Sequence, residues 1–124
     1  MRPQSLAEVA ELAMKGDSFD RCLWNFLDEF YASPSFERLK DAPQSLRSNE
    51  AGDVKDAYLA ATAEELARKY GLAQPVWTFD EDRKLRRPWF AISMQSLRAL
   101  LLLESPAGFR SRNLFVSANA LSRA

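Results

Sequence analysis

Two tryptophans and a phenylalanine enclose a block of charge in the segment Trp77-Thr-Phe79-Asp-Glu-Asp-Arg83-Lys-Leu-Arg86-Arg87-Pro-Trp89. Aromatic faces hold a flat base or a guanidinium by stacking. Arginine forks a carboxylate or a phosphate through paired hydrogen bonds. Trp and Arg also dominate the energetic centres of protein interfaces. The segment therefore fits a protein partner, a nucleic acid or a nucleotide. It equally fits a surface loop pinned to the core by its two tryptophans. A second set follows the Pro106-Ala-Gly turn, where Arg110 and Arg112 precede Asn113. These side chains can face a phosphate or a partner carboxylate. Alternatively, Phe109, Leu114, Phe115 and Leu121 dock the tail, and the arginines tie its backbone down. The candidate partner-binding residues are thus Trp77, Phe79, Arg83, Arg86, Arg87, Trp89, Arg110 and Arg112.

The residues that are missing narrow the chemistry. The 124-residue chain has no histidine and a single cysteine, Cys22. Ser-His-Asp and Cys-His catalysis cannot be assembled. Histidine- and thiolate-rich zinc sites cannot be assembled either. One cysteine forms no intrachain disulfide, which fits a reducing compartment. The four glycines are isolated, so neither a phosphate-binding G-x-x-x-x-G-K-[ST] loop nor a G-x-G-x-x-G turn can be written. Asp80-Glu81-Asp82 could approach Mg²⁺, but three consecutive residues in a turn seldom converge on one ion, and Arg83 and Lys84 compete for them. Asp28-Glu29 and Glu64-Glu65 diverge by about 100° on a helix and read as solvated faces. Cys22 reads as a buried structural thiol. No catalytic, cofactor or metal residue is assigned.

Charge is balanced overall and uneven along the chain. Lys+Arg and Asp+Glu each number 17. Residues 1–75 hold nine cations and thirteen acids, whereas residues 76–124 hold eight cations and four acids. From Arg83 onward seven of the eight cations are Arg, and Glu104 is the one acid. A cationic third suits an anionic partner. It also suits neutralisation by the acidic half within the fold.

The elements that must position these residues read as helices. Hydrophobic residues make up 47% and charged residues 27%, the composition of a globular chain. Ser5 with Glu8 is a capping-box pattern for a helix over Leu6–Lys15, ended by Gly16. The stripe Phe19, Cys22, Leu23, Phe26, Leu27, Phe30, Tyr31 predicts a helix over Ser18–Ala32. Ser33-Pro34 predicts a short helix over Pro34–Lys40. A polar linker spans Asp41–Asn49. A long Ala-rich helix is expected over Glu50–Tyr70, ended by Gly71, with Glu64–Arg68 and Glu65–Lys69 as favourable pairs. Val76–Phe79 reads as a short strand or an extended loop. Helix returns over Phe90–Glu104, and Leu97–Leu103 is apolar nearly all round, which predicts a central buried helix. A further short helix follows Ser105-Pro106 through Arg112, and a last turn begins at Ser117.

The sum is an all-α fold: one helical domain over 1–124, acidic in 1–75 and Arg-rich in 76–124. It has five or six helices and at most one short strand pair near residues 76–86. Glu8 and Glu11 interrupt the first apolar stretch, so it does not read as a signal peptide. The longest apolar run, Ala99–Leu103, is too short to span a bilayer. The expected location is the cytoplasm.

The stretch P-W-F-A-I-S-M-Q-S-L-R-A-L-L-L-L-E-S-P and the ending F-R-S-R-N-L-F-V-S-A-N-A-L-S-R-A together cover about a third of the chain. Both resemble segments of a family of small uncharacterised bacterial proteins. The resemblance implies a bacterial origin and genes resembling toxin–antitoxin loci, beside nucleotidyltransferase-like or DNA-binding partners. It implies no activity and no catalytic residues.

The expectation that follows is a non-enzymatic, all-α protein-interaction module, regulatory or antitoxin-like, whose partner is another protein. A nucleic-acid- or nucleotide-binding module is the second reading, with zero net charge against it. A carboxylate-based enzyme comes last, because nothing places two carboxyls across a cleft. A homodimer stays open, and no membrane partner is expected.

Overall fold

The computed structural model describes residues 2–92 and 94–123. Among them are five α-helices, three short 3₁₀ turns and one two-stranded parallel sheet. The mostly helical architecture agrees with the periodicity of the sequence.

Helix α1 covers Leu6–Met14, and α2 covers Phe19–Ala32. Both begin where a serine can satisfy an orphan amide. The Glu8 N–H donates to Ser5 Oγ at 3.2 Å, and the Arg21 N–H donates to Ser18 Oγ at 3.3 Å. Glu8 returns the favour one residue early, accepting the Gln4 N–H at 3.0 Å. Gly16 reverses the chain between the helices at φ +106°, a conformation that favours glycine. The predicted stripe of α2 is the buried one, from Phe19 to Phe30, and Cys22 lies within it.

The helix expected over Pro34–Lys40 is only a 3₁₀ turn, Phe36–Arg38, capped by Ser35 rather than Ser33. Arg38 ties this turn down. Its guanidinium donates to Ser33 O at 3.0 Å and to Gln4 Oε1 at 2.8 Å. A segment this short cannot sustain an α-helix without such packing.

Helix α3, Gly52–Lys69, is the centre of the molecule. Its alanines let neighbours approach on two sides. Leu59, Ala63 and Leu66 pack with the core of α1 and α2, whereas Ala57 and Ala61 pack with Phe109, Leu114 and Val116. Tyr58 stands between the two sets, edge-on to Phe19 and, at 4.9 Å between centroids, to Phe109. Position 52, the first of the helix, requires glycine for a steric reason. A Cβ there would lie 1.7 Å from the Leu46 carbonyl oxygen.

The chain then makes two 3₁₀ turns, Val76–Phe79 and Glu81–Arg83, where a strand was the alternative reading. The strand pair lies further on. Strand β1, Trp89–Phe90, pairs in parallel with β2, Leu114–Phe115. The helical crossover that a parallel pair requires consists of α4, Gln95–Glu104, and α5, Ala107–Arg110. The Phe90 and Phe115 rings stack at 5.1 Å across the pair.

The central buried helix expected over Leu97–Leu103 is not found. Among its leucines Leu101 is buried, while Leu100, Leu102 and Leu103 are 52, 45 and 80% exposed. Two causes combine. Phe90 is drawn into β1, which delays the start of α4 to Gln95. The central position is also already taken by α3, which packs against both halves of the chain. Among the described residues no helix is long and apolar enough to cross a membrane.

Candidate partner-binding groove

The cations of the C-terminal third separate into those used by the fold and those displayed. Arg83 is buried. Its Nη2 donates to Pro43 O at 2.6 Å and its Nη1 to Asp56 O at 3.3 Å, and the guanidinium lies 4.8 Å from the Trp77 ring centroid. Burial lowers its pKa from the ordinary guanidinium value, against the pull of Asp56, Asp80 and Asp82. Arg112 is buried as well. Its Nη1 donates to Glu64 Oε1 and Gly108 O, both at 2.7 Å, and its Nη2 to Thr78 O at 2.8 Å. It clamps α3, α5 and the Val76–Phe79 turn together. Arg110 donates to Ser105 O at 2.8 Å, and Arg98 lies over the Phe90 ring. Arg123 reaches both oxygens of Asp28 and holds that exposed carboxyl below the usual range.

Arg83 and Arg112, two of the partner-binding candidates, therefore stand as buried structural posts. Their terminal guanidinium nitrogens are turned inward onto backbone carbonyls and Glu64, while Arg112 Nε is buried without a partner. Neutralisation by the acidic half accounts for Arg112 on Glu64 and Arg123 on Asp28. The tail is docked as its apolar residues allow, with Phe109 and Leu114 fully buried and the Tyr31 hydroxyl donating to Leu121 O at 2.6 Å.

Arg86 and Arg87 differ from the rest. Both are exposed, and among the described residues neither side chain has a hydrogen-bond or ion-pair partner. Their display is built by the backbone. The Leu85 N–H donates to Arg112 O at 3.2 Å, and the Trp89 N–H donates to Asn113 O at 2.8 Å. Asn113 Nδ2 closes the loop on Leu85 O at 2.7 Å. Both ends of segment 85–89 are thus fixed to one dipeptide, and Arg86-Arg87-Pro88 forms its tip. Asn113 adopts φ +64°, a left-handed conformation that asparagine tolerates better than most residues. Its amide is spent on the loop.

The tip stands on an open groove of about 1050 Å³. Arg47 and the start of α3 at Ala51, Gly52 and Asp53 also line it. Two of the three acids of the groove face cations, and the third accepts an amide of its own helix. Asp82 lies 3.7 Å from Arg47, Glu81 lies 3.4 Å from Lys84, and Asp53 Oδ1 accepts the Val54 N–H at 2.9 Å. Ala51, the residue before α3, brings no side-chain oxygen to the first turn. The start of α3 lines the same space as Arg86 and Arg87, with Asp53 in its first turn offsetting the positive end of the helix.

Of the eight candidates, the groove brings together Arg86, Arg87 and Trp89. Trp77, Phe79 and Arg110 lie outside its lining with Arg83 and Arg112. Trp77 is half-buried and donates its indole N–H to Leu39 O at 2.9 Å, which pins the turn as the loop reading expected. Phe79 is 63% exposed. Arg47 and the start of α3 join the groove without having stood among the candidates. Neither carries a motif, and Arg47 sits in the polar linker 41–49.

Glu64 and Glu65 are half-buried, not solvated. Both reach Arg68, Glu64 also holds Arg112, and Glu65 accepts the Gly108 N–H at 2.8 Å. Lys69, expected on Glu65, lies instead over the Tyr31 and Tyr70 rings. Asp80-Glu81-Asp82 forms an exposed turn, and among the described residues no cluster of three acids or thiols is arranged to hold a metal ion. Cys22 is buried, which pushes its thiol pKa up.

Comparison of the chain with family models, curated proteins and solved structures finds no match.

Proposed function

We propose that the chain is a protein-interaction module that holds an acidic segment of a partner protein in the groove between the 85–89 loop and the start of α3. One observation carries the reading. Arg86 and Arg87 are displayed on a backbone-fixed loop, while the other arginines of that third are engaged within the fold. Each guanidinium can fork a carboxylate, and half-buried Trp89 supplies an apolar floor beside them. No nucleophile with an adjacent base has been found in the groove, so the reading is a binding one. The resemblance to bacterial proteins from toxin–antitoxin-like loci supports a cytoplasmic, regulatory or antitoxin-like role beside an operon partner.

A phosphate-bearing ligand is the second reading, favoured by the same displayed guanidiniums of Arg86 and Arg87, which fork phosphate as readily as carboxylate. The two differ in salt response. Binding through many phosphates falls steeply between low and physiological salt. A carboxylate segment held by two arginines and Trp89 falls gently.

The test is a tagged pull-down from the native cell, with nuclease, using the wild type and the double variant Arg86→Ala/Arg87→Ala. The expected result is a stoichiometric protein that survives nuclease and is lost in the variant, whose melting temperature is unchanged. Recovery of nucleic acid, or a partner retained by the variant, overturns the reading.

A further inference from the structure

Helix α4 has a composition that belongs inside a protein, and its outward face is uncovered. At about 100° per residue, Leu101 and Leu97 share the inward side. Leu101 is 2% exposed and Leu97 is half-buried. The opposite side carries Ala99 and Leu103 at its centre, flanked by Leu100 and Leu102. All four are exposed. Met94 and Ile92, in the segment entering the helix, extend the apolar surface. Together these exposed side chains come to several hundred Å², roughly the largest patch expected on a monomer. Doubled by a second copy, the area reaches the order of 1,000 Å², where specific interfaces begin.

We propose that this face is covered by α4 of a second copy of the chain, packed antiparallel about a two-fold axis at the level of Leu101. Two arguments select a second copy over other occupants. The first is charge. The centre of the face carries no charged side chain, and Arg98 is drawn over the Phe90 ring. A two-fold copy therefore sets no like charge against its twin, whereas an acidic partner of the kind assigned to the groove gains nothing here. The second is shape. Antiparallel pairing about Leu101 sets Ala99 of one copy opposite Leu103 of the other, small against large. Leu100 meets its own counterpart on one flank and Leu102 meets its own on the other. The helix is ten residues long, and a copy of itself matches its length.

This pairing is independent of the groove reading, because α4 does not line the groove. The test is sedimentation equilibrium of the full chain from low micromolar concentration upward, with three variants. Leu103→Glu puts a charge at the centre. Ala99→Leu fills the space that receives the partner's Leu103. Both positions are exposed, so neither change should cost the fold, which circular dichroism checks. The wild type and Arg86→Ala/Arg87→Ala should sediment as dimers. Leu103→Glu should weaken association roughly a hundredfold, since the symmetric contact loses two buried leucines. Ala99→Leu should weaken it at least tenfold. A wild type that stays monomeric at about 100 μM, well above the micromolar range of even modest interfaces, overturns the proposal. So does a dimer that tolerates both α4 variants. A monomer whose α4 face takes up an unrelated chain overturns it too.

Discussion

The side-chain amide of Asn113 donates to the carbonyl oxygen of Leu85 at 2.7 Å, and Asn113 O accepts the Trp89 N–H at 2.8 Å. One residue thereby holds both ends of the loop that displays Arg86 and Arg87. The tail is not an appendage of the groove but the base on which its cationic wall is mounted.

Asn113→Ala loses this donor and forces alanine into φ +64°. The two effects should cost about 2 kcal/mol together. Asn113→Gly loses the donor alone and should cost about 1 kcal/mol. Urea unfolding of both variants separates the terms. Equal losses would show that the backbone conformation contributes nothing.

Arg112 is the tightest knot in the molecule. Three elements meet on one guanidinium that is 3% exposed. Arg112→Met should destabilise the fold by about 3 kcal/mol, because Glu64, Gly108 O and Thr78 O lose a buried donor. Arg112→Lys should recover little, since an ammonium cannot reproduce the planar fork. A lysine variant as stable as the wild type would reduce Arg112 to a simple charge.

Two tyrosines tie stability to alkaline pH. Burial pushes the Tyr58 hydroxyl up to about 12, helped by Asp20, and does the same for Tyr31, helped by Tyr70; the ordinary value is 10.0. Below pH 10 both tyrosines keep their protons in the folded and unfolded chain, and their contribution is intact. As pH rises past 10 the unfolded tyrosines ionise first, which favours the unfolded state. The melting temperature should therefore fall between pH 10 and about 12. Tyr58→Phe removes one of the two titrations and should flatten part of that fall. An unchanged profile in the variant would remove Tyr58 from the account.

The parts of the fold that sequence discloses are those decided by near neighbours. Ser5 with Glu8, Ser18 with Arg21 and the Phe19–Phe30 stripe all act within a few residues, and α1 and α2 begin and end within one residue of the expected Leu6–Lys15 and Ser18–Ala32. Helix α4 misleads because apolar content shows that a helix wants cover, not which surface supplies it. Phe90 pairs with Phe115, 25 residues away, and Glu64 with Arg112, 48 residues away. Such partners leave no periodic trace. For the same reason the arginines look alike in the sequence, although Arg83 and Arg112 hold the core while Arg86 and Arg87 face the groove. Asn113 stood among the tail candidates, but its partner, Leu85, could not be read from spacing.

The groove reading is tested most directly by titrating the isotope-labelled full chain with a poly-glutamate peptide and following backbone amide shifts by NMR, beside a parallel titration with duplex DNA. Peptide-induced shifts should be confined to the start of α3, Arg47 and the 81–89 segment. They should be lost in Arg86→Ala/Arg87→Ala, with affinity down roughly thirtyfold if the pair acts as an interface hot spot worth about 2 kcal/mol. Shifts centred elsewhere, shifts that survive the double substitution, or DNA binding at the same amides more tightly than the peptide would contradict it.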